Sequence, residues 1–182
     1  MESVRSFIEK KLKLKINEAK SAVSRPKQRK FLGFSILGSG QQTKLALSPQ
    51  TKRRFKQRMR ELTRRSNGKN MAQRLEAINH YLQGWLAYYS LVDTKKVLKD
   101  LESWLKRRLR SCQWAEWQKP KARYRALRAL GLTHAEAYKL ANTSKGHWRI
   151  AGGPLNWVMP NKYWREQGLL DLMERYHKLR FA

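Results

Sequence analysis

From Ser48 to Arg65 the chain reads S-P-Q-T-K-R-R-F-K-Q-R-M-R-E-L-T-R-R, and this stretch divides it into two kinds of structure. Ser48 is a favourable N-cap, and Pro49 suits the first helical position, where its missing N–H would have no intrahelical acceptor. Phe55, Met59 and Leu62 then recur at helical spacing, which predicts a helix running to about Arg65 and stopped by Asn67-Gly68. Arg53, Lys56, Arg60 and Arg64 line a different face of it. One side packs and the other is strongly cationic.

Working outward from this helix, the downstream sequence keeps the helical period. Residues 71–91 carry Leu75, Ile78, Leu82, Trp85 and Tyr89 on one stripe. Residues 94–118 turn Val97, Leu101, Trp104 and, one step round, Leu98, Leu105, Leu109 and Cys112 inward, with Asp93 and Thr94 as expected caps and Pro120 as the stop. Two short helices are predicted over 123–130 and 133–141, around Gly131, and a last one over 161–179 with a break at Gly168. Gly146 to Pro160, which contains Gly152-Gly153-Pro154, reads as a loop. Upstream, residues 2–12 predict a short helix. Leu14 and Ile16, Ala22-Val23, the apolar run Phe31 to Leu37 and Lys44 to Leu47 predict strands, with turns at Asn17-Glu18, around Pro26 and at Gly38-Ser39-Gly40. The expected fold class is therefore mainly α: a helical bundle over 48–182 preceded by a small α+β piece over 1–47. Two or three strands and one helix seldom make an independent core, so the N-terminal piece reads as the end of a larger sheet.

Charge decides the partner class. Lys and Arg number 41 and Asp and Glu 13, a formal charge of +28 on 182 residues. A phosphate backbone is the commonest partner that offsets such an excess. The longest bulky apolar run, Trp85 to Tyr89, is far too short for a membrane span, and residues 1–20 have no apolar core of a secretion signal. No lipidation motif accompanies the charge, so a membrane partner is not expected. The single Cys, Cys112, excludes an internal disulfide, and the scattered His offer no metal site with it. The Asp residues, Asp93, Asp100 and Asp171, fall in helices or caps with no neighbouring acid for a two-metal centre. The chain is expected to have no catalytic site of its own.

Three clusters carry the positive charge. The first is Lys52, Arg53, Arg54, Lys56, Arg58, Arg60, Arg64 and Arg65, against Glu61 alone; the second is Lys106, Arg107, Arg108 and Arg110; the third is Lys119, Lys121, Arg123, Arg125 and Arg128. A solvated helix face would mix both signs, and these do not. Arg also outweighs Lys, which suits forked contact with phosphate. Aromatic residues interleave: Trp114 and Trp117, Tyr124, and Trp148-Arg149 after Lys145. Unpaired bases stack on such rings, and structured RNA offers more of them than duplex DNA does. Trp85 and Trp104, on apolar stripes, read as core. Trp148, in a polar loop, can be either core or stacking platform.

These residues resemble a known family. Leu12-Lys13-Leu14, Asn17 and Lys20, followed by Phe31-Leu32-Gly33-Phe34, resemble the last strands of a reverse-transcriptase palm. Gly84-Trp85 with Tyr88-Tyr89, Trp104 with Arg107-Arg108-Leu109-Arg110, Leu130-Gly131, and Gly146 with Trp148-Arg149 resemble the maturase-specific domain, or thumb, of group II intron reverse transcriptases. The resemblance covers nearly the whole chain and rests on the order and spacing of these patterns together. It implies a helical thumb that binds primer-template and the intron's own RNA, stabilising folded intron RNA while that RNA performs the splicing chemistry. By position, Lys20 and Phe31 to Phe34 would lie near the primer, Lys52 to Arg65 would form the first thumb helix, and Gly84 would allow close helix approach. The family's fingers and paired aspartates would lie upstream of Met1, so its Mg²⁺ is expected only in a complete polymerase or in the intron RNA. With neither a secretion signal nor a membrane span in the sequence, an intracellular, bacterial cytoplasmic setting is expected. Two other readings stand beside this one. One is a non-catalytic subunit of a split RNA-directed DNA polymerase whose fingers and palm come from another chain. The other is a DNA-binding regulator that uses Arg123 to Ala141 as a helix-turn-helix.

Overall fold

A computed structural model describes residues 2–17, 29–38, 43–66 and 68–181. Among the described residues are three strands, β1 (Lys30–Phe31), β2 (Phe34–Leu37) and β3 (Lys44–Leu47), and ten helices: α1 (Glu2–Ser6), α2 (Pro49–Leu62), α3 (Met71–Tyr89), α4 (Lys95–Glu116), α5 (Pro120–Ala129), α6 (His134–Ala141), α7 (His147–Gly152), α8 (Pro154–Val158), α9 (Asn161–Glu166) and α10 (Leu172–Phe181). The chain is mainly α, with a small antiparallel sheet in the order β1-β2-β3. Glu18, Lys20, the Ala22-Val23 strand, the turn at Pro26, Ser39, Gly40 and Asn67 lie outside the described residues.

The strand expected at Leu14 and Ile16 is not there. A single π-helical turn, Phe7–Lys11, follows α1, and Leu14 N–H bonds back to Ile8 O at 3.2 Å, so this segment closes the N-terminal turn. Phe31 to Leu37 is not one strand either. Phe31 pairs with Phe34 across a two-residue turn in which Leu32 and Gly33 have φ of 50° and 85°. Left-handed values at both central residues are those of a type I′ turn, whose twist matches that of paired strands. Leucine is a poor residue for that backbone, which hides the turn from a sequence reading.

The turn is fixed by the helices below it. Gly33 O accepts from Ser48 N at 2.9 Å and from Thr51 Oγ1 at 2.7 Å, while Tyr88 Oη donates to Leu32 O at 3.1 Å. Phe34 packs on the rings of Tyr88 and Tyr89. The Phe31-Leu32-Gly33-Phe34 and Trp85…Tyr89 motifs thus form one contact, seated on the N-terminus of α2, where Ser48 caps Thr51 N–H as expected. A Cβ on Gly33 would come within 2.5 Å of Tyr89 Oη and 2.9 Å of Thr51 Oγ1. Gly84 differs: a Cβ there would meet nothing within 4 Å. The close helix approach expected at Gly84 does not occur, because the residue faces outward on α3.

Leu75, Ile78, Leu82 and Trp85 of α3 are buried with Phe55 and Met59 of α2 and with Leu98, Leu101, Leu105 and Leu109 of α4 in one core. Asp93 does not cap α4. Its carboxylate accepts from Leu45 N of β3 at 2.7 Å and from Arg180 of α10, and its own N–H donates to Leu45 O at 2.9 Å. It therefore ties the sheet to the last helix. Asp171 is the carboxylate that caps, accepting from Met173 and Glu174 N–H at the start of α10. Pro120 opens α5 at its first position. Most of Gly146 to Pro160 is helical, forming α7 and α8, because Ile150, Ala151, Leu155 and the adjoining Met159 are all buried there.

Two glycine substitutions should separate. Gly33→Ala forces a side chain into a left-handed backbone and against two hydroxyls, and should cost about 1–3 kcal/mol. Gly84→Ala, exposed in a helix interior, should gain about 0.5–1 kcal/mol. Urea unfolding of both variants reads the difference, and equal effects would contradict this account of the hairpin.

Candidate nucleic-acid interface

The charged cluster of α2 divides between faces. Helical geometry places Lys52, Lys56 and Arg60 on the flank toward α4, Arg53 outward, and Arg54 and Arg58 on the far flank. Arg58 pairs with Glu61 at 3.0 Å. On the α4 flank, three cations surround one indole: Lys56 Nζ, Arg60 Cζ and Arg108 Cζ lie 5.4, 5.6 and 5.5 Å from the centre of the Trp104 ring. Trp104 is half-buried against the core, as its stripe predicts. Its quadrupole draws guanidinium and ammonium groups of two helices into one place.

The second cluster is mostly architectural, which corrects the reading of Lys106 and Arg110 as RNA-facing cations. Lys106 is 3% exposed and bonds Glu102 at 2.9 Å. Arg110 is 4% exposed, and its guanidinium donates to Ala151 O at 2.9 Å and Met159 O at 3.1 Å. Those carbonyls lie at the C-terminal ends of α7 and α8, where no intrahelical donor remains. Burial, with Arg107 nearby, lowers the Arg110 pKa to about 10, so it is charged at neutral pH. Arg108 Nε donates to Thr63 Oγ1 at 2.6 Å and Cys112 Sγ to Thr63 O at 3.2 Å, closing the end of α2. Arg107 donates to Trp148 O at 2.9 Å and stacks over that ring at 4.2 Å. The Arg107-Arg108-Leu109-Arg110 run thus holds three neighbouring segments by their carbonyls, while Leu109 fills the core.

Where these segments meet they enclose a cavity of about 530 Å³. Arg65, Arg108 and Arg149 supply its charge, His147 an imidazole, Thr63, Ser111 and Cys112 its floor, and among the described residues no carboxylate lines it. Burial lowers the His147 pKa below its usual value, and the guanidiniums of Arg65 and Arg123 lower it further. The cavity thus sets a neutral imidazole among arginines. The structure thus brings together Arg65, Arg108, Trp148 and Arg149 of the expected residues. Lys121 and Arg125 stand exposed on α5, and Lys145 is exposed before α7; none of these three forms part of the cavity wall. Arg123 lies over Trp114, 4.4 Å from a ring that is itself fully buried. Thr63, Ser111 and His147 escaped the sequence reading, which followed charge runs, and none of the three belongs to one.

Compared with known families, residues 52–131, from the first turn of α2 to the turn after α5, match the group II intron maturase-specific domain. This segment is similar to that domain. No curated protein matches the chain. The matched segment supplies Thr63, Arg65, Arg108, Ser111 and Cys112 to the cavity, and the segment after it supplies His147, Trp148 and Arg149.

Arg110→Met should leave two buried carbonyls without donors and destabilise the contact of α4 with α7 and α8 by about 1–3 kcal/mol per acceptor. Amide exchange should accelerate across 147–159 before it does across α3. Unchanged protection there would show that Arg110 is dispensable. His147 adds a pH term. Its folded pKa is depressed, so its contribution is complete above the unfolded value of about 6.5 and is lost as pH falls from there toward the folded pKa. His147→Gln should remove that loss, as read from urea midpoints across the same pH range.

Proposed function

We propose that the chain is an RNA-binding maturase and thumb module: it stabilises folded group II intron RNA for splicing and, in the setting of a reverse transcriptase, grips the primer-template. The observation that carries this reading is the carboxylate-free cavity between the matched segment and α7, flanked by the Trp104 cation cluster. A phosphate that enters it meets Arg108, a donor already held in place by Thr63, so little entropy of that side chain is lost on binding. Exposed Arg53, Arg54, Arg60 and Arg64 extend the same positive surface along α2 and past its end. Phosphate contacts of this kind position RNA without reading sequence.

One observation favours the split-polymerase reading as a second. Phe31, Leu32 and Leu37 are exposed apolar residues on the sheet, and among the described residues β1 pairs with β2 alone. A partner chain that added strands there would cover them. The regulator reading finds its two helices in α5 and α6 around Gly131, but the second offers little for base reading beyond Lys139.

Replacing Arg53 and Arg60 by Ala should weaken binding to folded intron RNA and to plain duplex alike. The plot of log affinity against log salt should flatten by about 0.7–0.9 for each phosphate that no longer meets a cation. Affinity should also rise as pH falls below about 6.5, because a phosphate in the cavity favours the protonated form of His147 that the free protein disfavours. That slope should vanish in His147→Gln. Salt titrations at several pH values test both claims, and tight, salt-resistant preference for one DNA duplex would defeat the RNA reading.

A further inference from the structure

Six of the seven tryptophans have a ring or a cation against them. Trp85 packs on Phe55 and Tyr89, Trp114 and Trp117 on each other, and Trp164 on Tyr163; Trp104 and Trp148 are covered by guanidiniums. The seventh, Trp157 on α8, has neither among the described residues and is 87% exposed. It stands between Leu155 and Met159, which are fully buried, so the helix that carries it is firmly seated. An indole held open on a fixed helix retains the whole hydrophobic cost of its exposure.

Trp157 forms one wall of a groove of about 590 Å³, opposite Leu130, Leu132 and Leu140 of the α5–α6 hairpin. That volume is in the range of sites for small organic ligands. Lys139 and Lys145 stand at its rim. The one carboxylate that lines it, Glu136, is engaged at the cap of α6, accepting from Thr133 N at 3.0 Å and from Thr133 Oγ1 at 2.6 Å. Lys145 is followed directly by Gly146, which lines the arginine cavity, so the groove continues the positive surface. Trp148, which the polar sequence around it makes a candidate for base stacking, is 42% exposed but already has Arg107 on its ring.

We infer that the groove takes a single unpaired nucleobase, stacked on Trp157 between apolar walls, with the flanking phosphates at Lys139 and Lys145. The inference rests on the RNA-binding reading of the neighbouring cavity. A flat apolar slot with cations at its mouth complements a base attached to its backbone. An apolar protein helix would leave both ammonium groups without counter-charge.

The test uses the full chain and three RNA hairpins: one with a single-nucleotide bulge, one with an abasic residue in that bulge, and one fully paired. Wild type should bind the bulged hairpin tightest. Trp157→Ala should lose about 5- to 150-fold on the bulged hairpin, the range for one stacked base, and nothing on the other two. Trp157→Phe should keep most of the affinity, and the thermal midpoint of both variants should equal that of wild type. Equal discrimination between bulged and abasic RNA by wild type and Trp157→Ala would overturn the inference. So would an unchanged RNA profile in Trp157→Ala together with altered self-association in sedimentation, which would make the groove a protein-docking site. Failure of wild type to bind any of the three hairpins would instead remove the RNA-binding reading beneath it.

Discussion

A buried carbonyl at the end of a helix must find a donor, and in this chain arginine supplies it. Arg108 closes α2, Arg110 closes α7 and α8, and Arg107 holds the first turn of α7. Arg74 and Arg180 likewise bond Arg64 O and Val92 O, although each also pairs with a carboxylate, Glu116 and Asp93 respectively. Each bond satisfies a group whose orphaning would be costly. None of these carbonyls neutralises the cation that bonds it. Carboxylate partners would have closed the same joints and cancelled the same charge. Carbonyl partners join the helices and leave the positive field intact, so the interactions that assemble the bundle also make its surface attractive to phosphate.

The geometry of α4 follows from this. Its apolar residues face the core in the expected order, and its basic residues divide by depth: Lys106 and Arg110 inside, Arg107 and Arg108 at the boundary. A charge run in sequence carries no information about depth. The same four residues therefore read as a uniform RNA-facing patch until the neighbours are known.

Much of the remainder was legible. The Ser48 cap, Pro49, the stripes of α2, α3 and α4, the turn at Gly131 and the break at Gly168 all depend on local chemistry that the sequence carries. The buried state of Cys112 and Trp85 followed from their stripes. The failures share a cause. α7 and α8 form in a stretch rich in Gly and Pro because distant groups stabilise them, Arg110 above all. The Leu32-Gly33 turn forms against the preference of leucine because Tyr88 and Thr51 hold its carbonyls. Gly84 was assigned a packing role that its outward position on α3 does not give it. Of the interface, the cations were legible by type; their convergence on Thr63 and His147 was not, since it needs contacts between residues more than 40 positions apart.

The forked bonds of Arg108 and Arg110 also govern how the chain can vary. Each spans two oxygen acceptors, Thr63 Oγ1 and O for Arg108, Ala151 O and Met159 O for Arg110. A lysine keeps the charge but, as a single compact ammonium, cannot reproduce a planar fork. At Arg53 or Arg60, where the proposed role asks only for charge near a phosphate, lysine serves. Among natural variants of this sequence, positions that drift freely between the two basic residues would mark the surface that meets the nucleic acid. Positions that admit arginine alone would mark the joints of the scaffold, and counting both as one footprint would overstate the area of contact.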